Sequence, residues 1–294
     1  MGREIKIGLA LGAGSAKGLA HIGIIQVLEE AGIKPHIITG TSMGAVIGGF
    51  YASGLSPGEM REMATSITKD EVKKLLPHRP SLTHLVDNKK IRALFHKVLG
   101  NRRIEELPLK FGCVATDILS GKEEYFTQGP MVEALLASSA IPGFFPAVKV
   151  GGRYLVDGGV VDPVPVDLAR KLGADFVIAV NVMSWKARGA EAADQEEEGN
   201  FVDRLKRALS RLLLGEENGP PHIISTFLYA VDIMQEEIVR SKLKVCPPEM
   251  FIHVDTSDFS SNEYYRADEI ISRGEEVGRK VVSYLIYLIN TFGR

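Results

Sequence analysis

The pentapeptide Gly40-Thr41-Ser42-Met43-Gly44 has residue types and a spacing that could perform chemistry. It fits the pattern G-x-S-x-G, in which a nucleophilic serine stands on a sharp turn from a strand into a helix. Glycine is needed on both sides, because a side chain there would collide with the neighbouring strand and helix. Residues 35–39 indicate a short strand before the turn, and residues 45–54 indicate a helix of small residues after it. This context predicts that Ser42 is a nucleophile.

A serine hydroxyl is a weak nucleophile until a base accepts its proton, and the chain offers two kinds of base. Asp157 follows a predicted strand and precedes Gly158 and Gly159, which places a carboxylate on a loop at a sheet edge. Taken alone, this segment is more typical of a common aspartate turn. The alternative base is a histidine, although none of the seven lies in a glycine-rich loop: His21, His36, His78, His84, His96, His222 and His253.

Acyl transfer also requires hydrogen-bond donors for the oxyanion that forms during the reaction. The segment Leu11–Gly18 lies between the first predicted strand and the first predicted helix. Its small residues leave backbone N–H groups open to converge on an anion at the positive end of the helix. The same segment fits G-x-G-x-x-x-G, which is typical of dinucleotide-binding turns, so by itself it does not decide between the two.

Two details argue against nucleotide binding. A Walker A loop needs Ser or Thr after its lysine to bind magnesium, whereas Gly18 follows Lys17. A dinucleotide-binding fold needs an acidic residue at the end of its second strand, where this chain has Thr39-Gly40 leading into Ser42. The sequence therefore favours acyl transfer over NAD binding, and we expect no cofactor.

The first 185 residues alternate between strand-like and helix-like patterns, as expected for a parallel α/β sheet. Strands are predicted at residues 5–11, 35–39, 109–116, 124–127, 154–156 and 176–182. Helices are predicted at residues 18–31, 45–54, 56–66, 131–138 and 164–172, and residues 70–110 form a charged insertion over one face. In this arrangement the serine and the glycine-rich segment each stand on a strand-to-helix turn.

The composition changes after residue 185. Residues 186–200 are polar and acidic and predict a mobile loop. Residues 201–214 predict an amphipathic helix that carries Arg204, Arg207 and Arg211. This helix either packs on the domain or acts as a lid or a foot on anionic lipid, which would give peripheral membrane contact. Further helices are predicted at residues 222–240 and 267–288, with a strand at residues 249–254.

Composition restricts the partners and the compartment. The 294 residues carry a net charge of −2, which provides no overall attraction to nucleic acid or to an anionic membrane. No apolar run reaches the roughly 18 residues of a membrane-spanning helix. Two cysteines do not make a disulfide framework, and no His, Cys or Asp spacing indicates a metal site. We expect a cytoplasmic protein without a metal.

Four segments, taken in order, resemble the patatin-like phospholipase family. They are the glycine-rich loop Gly12 to Gly18, the turn Gly40 to Gly44, the segment Ala137-Ser138-Ser139-Ala140-Ile141-Pro142, and Asp157-Gly158-Gly159. The resemblance covers residues 5–185 with high specificity and the rest of the chain more weakly. It implies a three-layer α/β/α fold with a mostly parallel central sheet, formed by residues 1–294 as a single domain.

The resemblance also implies hydrolysis of lipid acyl esters by a serine and an aspartate without a histidine. Ser42 would be the nucleophile, Asp157 the base, and the backbone amides of Gly12, Ala13 and Gly14 the oxyanion hole. Supporting roles fall to six further positions: Lys17, Gly18, Gly40, Gly44, Gly158 and Gly159. The substrate would be a phospholipid, a lysophospholipid or a simpler acyl ester.

The chain departs from the family pattern at two positions. Ala13 interrupts the three successive glycines that are common in this loop, although alanine still offers its N–H. Lys17 stands where arginine is usual; lysine keeps the positive charge but loses bidentate geometry towards phosphate or carboxylate. The chemistry is therefore better predicted than the preference for a substrate.

Three other functions are compatible with parts of the pattern. A Ser–His–Asp hydrolase would use Asp157 with His222 or His253, but such enzymes place several strands before the serine, and here only two precede it. A lipid- or protein-binding module would keep the fold with little hydrolysis. A dinucleotide-dependent oxidoreductase would need the missing acidic residue.

Overall fold

The computed structural model describes residues 5–74, 88–183 and 223–292. The predicted loop at 186–200 and the predicted basic helix at 201–214 lie outside these ranges. Within them, none of the helices combines the length and the apolar character needed to span a bilayer.

The described residues form eight strands and nine α-helices. Strands β1 to β8 span Ile7–Leu11, Ile37–Thr41, Lys110–Asp117, Lys122–Phe126, Val148–Val150, Arg153–Asp157, Phe176–Asn181 and Met250–His253. Helices α1 to α9 span Ala20–Glu30, Met43–Ala52, Pro57–Thr65, Lys69–Lys74, Asn88–Leu99, Met131–Ser138, Val166–Lys171, Ile223–Val245 and Ala267–Thr291. Short 3-10 turns span Ser15–Leu19, Ile104–Glu106, Gly158–Val160 and Tyr264–Arg266.

All eight described strands belong to one sheet. Its order is β5-β6-β3-β2-β1-β7-β8, and β4 pairs with β3 beside this path. The five strands β3, β2, β1, β7 and β8 are paired in parallel, whereas β4, β5 and β6 join antiparallel at the β3 end. The carboxyl ends of the parallel strands therefore share one edge of the sheet, and the loops that follow them meet there.

Helices cover both faces of the sheet. In β1, Leu9 and Leu11 pack into a core shared with α1, α2, α6 and α9, whereas Ala10 packs into a second core shared with α7 and α8. Alternate residues of a strand point to opposite faces, so a strand buried on both sides is apolar throughout. The predicted three-layer α/β/α fold with a mostly parallel sheet is confirmed.

Some boundaries differ from those predicted. Strand β2 begins two residues later than expected and continues to Thr41, so Ser42 follows the strand directly. The first helix begins as a 3-10 turn at Ser15. Strand β5 was not predicted, because three residues are too few to show an alternating pattern; it joins β6 through Gly151-Gly152, both with positive φ.

Candidate active site

The register along β3 brings two strand ends together. Strand β2 runs parallel to β3 and ends with Thr41 opposite Val114. Strand β6 runs antiparallel to β3 and ends with Asp157 opposite Ala115. Because β4 occupies the other edge of β3 over Cys113–Asp117, β2 and β6 share one edge and meet end to end. The residue after Thr41 therefore lies beside Asp157.

Ser42 stands on the turn between β2 and α2 in a backbone conformation that L-residues rarely adopt. Its φ of 56° and ψ of −123° cost on the order of 1–3 kcal/mol unless the surroundings hold them. Two hydrogen bonds do so. The Ser42 N–H donates to Oγ of the fully buried Ser138 at 3.0 Å, and the Ser42 carbonyl accepts from the N–H of Val46 at 3.1 Å.

The glycines around Ser42 permit close contact between backbone segments. A Cβ on Gly40 would lie 2.4 Å from the carbonyl oxygen of Gly44, and a Cβ on Gly44 would lie 2.2 Å from the carbonyl oxygen of Leu11. A Cβ on Gly18 would lie 2.5 Å from Cγ of Met43. The serine turn thus packs directly on the glycine-rich loop, and a larger residue at any of these positions would separate the two.

Ser42 and Asp157 are in direct contact although they are 115 positions apart. Oγ of Ser42 donates to Oδ2 of Asp157 at 2.5 Å, and the N–H of Gly159 donates to Oδ1 at 2.7 Å. The Asp157 backbone is also fixed, since its carbonyl accepts from Oγ1 of Thr116 at 2.8 Å and its N–H donates to the carbonyl of Ala140 at 2.9 Å. Both oxygens of the carboxyl group are therefore held in place.

The surroundings of Asp157 suit a proton acceptor. Ser42 is 5 % exposed and Asp157 is 3 % exposed. This burial raises the pKa of Asp157 to about 6, although the hydrogen bonds from Ser42 and Gly159 oppose the shift. At neutral pH most of the carboxyl group is ionised, and it is a stronger base than an exposed aspartate. Gly158 allows the close approach, since a Cβ there would lie 2.2 Å from the carbonyl oxygen of Val114.

The glycine-rich loop differs in one respect from the expected oxyanion hole. The N–H of Gly12 donates to the carbonyl of Val180 at 2.9 Å, and the N–H of Ala13 donates to the carbonyl of Pro163 at 2.9 Å. These two amides attach the glycine-rich loop to segments that are distant in sequence, because the carbonyl groups of those segments accept their hydrogen bonds. Among the described ranges, no hydrogen bond engages the N–H of Gly14 or of Ser15. Gly14 therefore stays a candidate donor, and Ser15 is a new one.

Ser15 and Tyr264 form a contact at the site that the sequence analysis missed. Ser15 has a φ of 48°, in the left-handed region where glycine is usual. Its side chain interacts with the hydroxyl of Tyr264 and opposes a rise in the pKa of that hydroxyl, which burial and the charge of Asp157 raise to about 12. No motif surrounds Tyr264, so only the tertiary structure reveals that it lies near the candidate site.

Within the described parts of the chain, Oγ of Ser42 donates to Asp157 rather than to a histidine. Nε2 of His21 lies 2.8 Å from the carbonyl oxygen of Gly12, and burial lowers the pKa of His21 to about 4, so this ring is neutral and fixes the loop. His253 is exposed on β8, opposite Asn181, and His78, His84 and His222 lie outside the described residues. Over the described parts of the chain, no group of three or more His, Cys, Asp or Glu side chains could hold a metal ion.

Lys17 is buried on the loop, with 6 % of the residue exposed. Its Nζ lies 3.9 Å from Oδ2 of Asp232, a residue of α8. This contact places Asp232, which is distant in sequence, beside the glycine-rich loop. Nothing in the sequence around Asp232 indicated that contact.

The chain is similar in sequence to several known proteins. The chain is 39 % identical over 207 residues to an uncharacterised NTE family protein of Mycobacterium tuberculosis, a match that covers 70 % of this chain and 57 % of that protein. It is 36 % identical over 182 residues to lysophospholipase nte1 of Emericella nidulans, covering 60 % of this chain and 12 % of that protein. The chain thus spans less than two thirds of the length of these relatives.

Among solved structures, the chain is similar to VipD from Legionella pneumophila, with a TM-score of 0.49 and 15 % identity over 96 % of this chain and 67 % of that chain. The model of the family described as patatin-like phospholipase matches residues 9–170, more than half of the 294 residues. That range contains the serine turn, the glycine-rich loop and Asp157. The chain therefore belongs to the patatin-like phospholipase family.

Proposed function

We propose that this protein hydrolyses acyl ester bonds of lipids, with Ser42 as the nucleophile and Asp157 as the base. The observation that carries the proposal is the 2.5 Å hydrogen bond from Oγ of Ser42 to Oδ2 of Asp157. It joins a hydroxyl on a strained strand-to-helix turn to a buried carboxyl group. Burial raises the pKa of this carboxyl group to about 6. A nucleophile in contact with a base of suitable pKa is the arrangement that acyl transfer requires.

In the acylation step, Asp157 accepts the hydroxyl proton while Oγ of Ser42 bonds to the ester carbonyl carbon. The negative charge on the former carbonyl oxygen is stabilised by the N–H groups of Gly14 and Ser15, at the start of the 3-10 turn Ser15–Leu19. The loss of one such donor raises the barrier by about 3 kcal/mol. The intermediate then collapses, the bond to the alcohol oxygen breaks, and Asp157 returns the proton to the leaving alcohol.

In the deacylation step, the same carboxylate accepts a proton from a water molecule. The hydroxide that results attacks the acyl carbon and releases the fatty acid, and the proton returns to Oγ of Ser42. Each proton that Asp157 accepts is given back within the same step, so the cycle uses one water and no redox partner. The position of Ser42 at the N-terminus of α2 favours negative charge on its oxygen.

The inference that the substrate is a lipid rests on the descriptions of the family and of a matched relative. The family is described as patatin-like phospholipase, and the matched fungal protein is named a lysophospholipase. We therefore propose a phospholipase A, lysophospholipase or esterase reaction on a lipid acyl ester. Contact with a membrane surface through Arg204, Arg207 and Arg211 stays a hypothesis, because these residues lie outside the described ranges.

The proposal is tested with Ser42→Ala and Asp157→Asn. We expect both variants to lose hydrolysis of a chromogenic acyl ester and of lysophosphatidylcholine, the latter followed by mass spectrometry of the released fatty acid. A fluorophosphonate probe should label the parent protein at Ser42 and leave Ser42→Ala unlabelled. Ser66→Ala, which changes an exposed serine, is the matched control and should behave like the parent.

Two results would contradict the proposal. A parent protein that neither hydrolyses these esters nor reacts with the probe would be a binding module rather than an enzyme. Loss of activity in His253→Ala, with activity retained in Asp157→Asn, would indicate a histidine base.

A further inference from the structure

Helix α8, Ile223–Val245, lies beyond the residues that the family model matches, yet one of its faces points at the candidate site. Asp232, Gln235, Val239 and Lys242 are spaced three and four residues apart, so they share that face. Val239 is buried in the core between α8 and the sheet. The other three side chains each contact a loop that belongs to the site or adjoins it.

The contact of Asp232 is an ion pair with Lys17, with 3.9 Å between Oδ2 and Nζ. The side chain of Lys17 is 8 % exposed and that of Asp232 is 26 % exposed. Burial raises the pKa of Asp232, and the charge of Lys17 opposes the shift. In such a poorly solvated place the attraction between the two charges is weakly screened, so the ion pair restrains both side chains.

Gln235 and Lys242 show that α8 packs against the segment that follows Asp157. A Cβ on Gly159 would lie 2.4 Å from Nε2 of Gln235, so this amide rests on the residue whose N–H holds Asp157. Nζ of Lys242 lies 3.3 Å from Oδ1 of the buried Asp162 and pairs with Glu123. These contacts fix the helix at the site from Asp232 to Lys242.

Lys17 is close to the groups that the reaction uses. It lies two residues after Ser15 in the same 3-10 turn, and the next residue, Gly18, contacts Met43 beside the nucleophile. A shift of Lys17 would therefore move the N–H groups of Gly14 and Ser15. Rate depends steeply on the placement of such donors, and a 1 Å error can cost about 100-fold.

We propose that Asp232 is a positioning residue that acts through Lys17 to hold the glycine-rich loop Gly12 to Gly18 in its reactive geometry. The inference rests on the proposed hydrolase function. It assigns a role in catalysis to a helix outside the family's matched segment, and it requires that Lys17 and Asp232 act as a pair. Asp232 itself does not touch the reacting atoms.

The test is a double-mutant cycle in the full chain with Asp232→Asn, Lys17→Met and the variant that carries both. The readouts are the rate of Ser42 labelling by a fluorophosphonate and the kcat and KM for a neutral short-chain chromogenic ester. We expect each single change to lower the labelling rate and kcat by roughly 10- to 100-fold with little change in KM. The double variant should be no slower than the slower single variant, because the two residues share one interaction.

Two further variants provide controls. Asp232→Glu keeps the charge and should recover most of the rate. Glu237→Gln removes an acidic group from the same helix, but its side chain is 65 % exposed and pairs with Arg240, so the parental rate is expected. The melting temperature of every variant is measured, and all rates are taken well below it.

Several outcomes would overturn the inference. Asp232→Asn with parental labelling and kcat but a lower melting temperature would make the ion pair merely structural. Losses that multiply in the double variant, or a change confined to KM, would show that the pair does not position the loop. If the parent itself is not labelled at Ser42, the proposed function fails first and this inference fails with it.

Discussion

Thr41 and Asp157 are the last residues of two strands that run towards each other along the same edge of β3. Their partners, Val114 and Ala115, are consecutive in sequence. The distance between Ser42 and Asp157 is therefore set by the pairing of β2 and β6 with one common strand. This explains how residues 115 positions apart meet with a hydrogen bond of 2.5 Å.

The pH dependence of hydrolysis should follow Asp157. Burial raises the pKa of this carboxyl group to about 6, and only its ionised form accepts a proton. We expect kcat/KM to fall as the pH drops through about 6 and to be nearly constant above pH 7. Rates from pH 4.5 to 8.5 with a short-chain ester provide the measurement. A rate that stays constant down to pH 4.5 would show that Asp157 is not the base.

Asp157→Asn should increase stability while it abolishes activity. The native pKa of about 6 lies above the ordinary 3.8, so ionisation of the buried group costs the folded state up to about 3 kcal/mol. This cost is absent below pH 3.8, grows between pH 4 and 6, and is fully present above pH 6. Removing it should raise the free energy of unfolding by about 1–3 kcal/mol at pH 8, after the lost hydrogen bonds are counted.

Urea unfolding of the parent and of Asp157→Asn at pH 8 and at pH 4 measures this difference. The gain should be large at the higher pH and close to zero at the lower one. An equal gain in the free energy of unfolding at both pH values would show that the effect does not come from the charge of Asp157.

Gly44→Ala should separate the serine turn from the glycine-rich loop. The new Cβ would lie 2.2 Å from the carbonyl oxygen of Leu11 and 2.5 Å from that of Gly12, so the backbone must move. We expect a loss of about 1–3 kcal/mol in the free energy of unfolding and at least about a 100-fold loss in kcat. The measurements are urea unfolding and ester hydrolysis.

Gly58→Ala is the control for this change. Gly58 lies in the first turn of α3, and the nearest atom to an added Cβ is 4.0 Å away. Alanine should be neutral there or stabilise the helix by up to about 1 kcal/mol, with full activity. Equal activity in Gly44→Ala and Gly58→Ala would show that contact between turn and loop is not needed for hydrolysis.

Ser138→Ala should loosen the backbone at Ser42. It removes the acceptor of the Ser42 N–H, which leaves a buried donor unpaired at a cost of about 1–3 kcal/mol. We expect kcat to fall by roughly 10-fold or more, because the strained turn loses one of its two restraints. Kinetics and thermal unfolding of the variant provide the measurement.

The neighbouring Ser139→Ala is a matched control, since Oγ of Ser139 donates to the carbonyl of Leu135, one turn back in α6. It should keep the parental kcat. A Ser138→Ala variant as active as Ser139→Ala would mean that the turn is held well enough without Ser138.

The local chemistry of the site was predictable from sequence because it depends on short-range sterics. Glycine two residues on either side of Ser42 indicated a strained strand-to-helix turn, and the φ of 56° at Ser42 has the sign that such a turn demands. The alternation of apolar segments likewise indicated a parallel α/β sheet with helices on both faces. In both cases the interactions that matter lie within a few residues of each other.

Tertiary structure decided which distant groups meet. The residues by themselves left the candidate base open between an aspartate and a histidine, and only the family resemblance pointed to Asp157, because nothing local records that β2 and β6 end side by side on β3. The family resemblance implied that the amides of Gly12, Ala13 and Gly14 all line an oxyanion hole. In the structure, Gly12 and Ala13 are engaged by Val180 and Pro163, and only the folded chain brings those carbonyls to the loop. The raised pKa of Asp157 has the same origin, since burial is a property of the packed molecule.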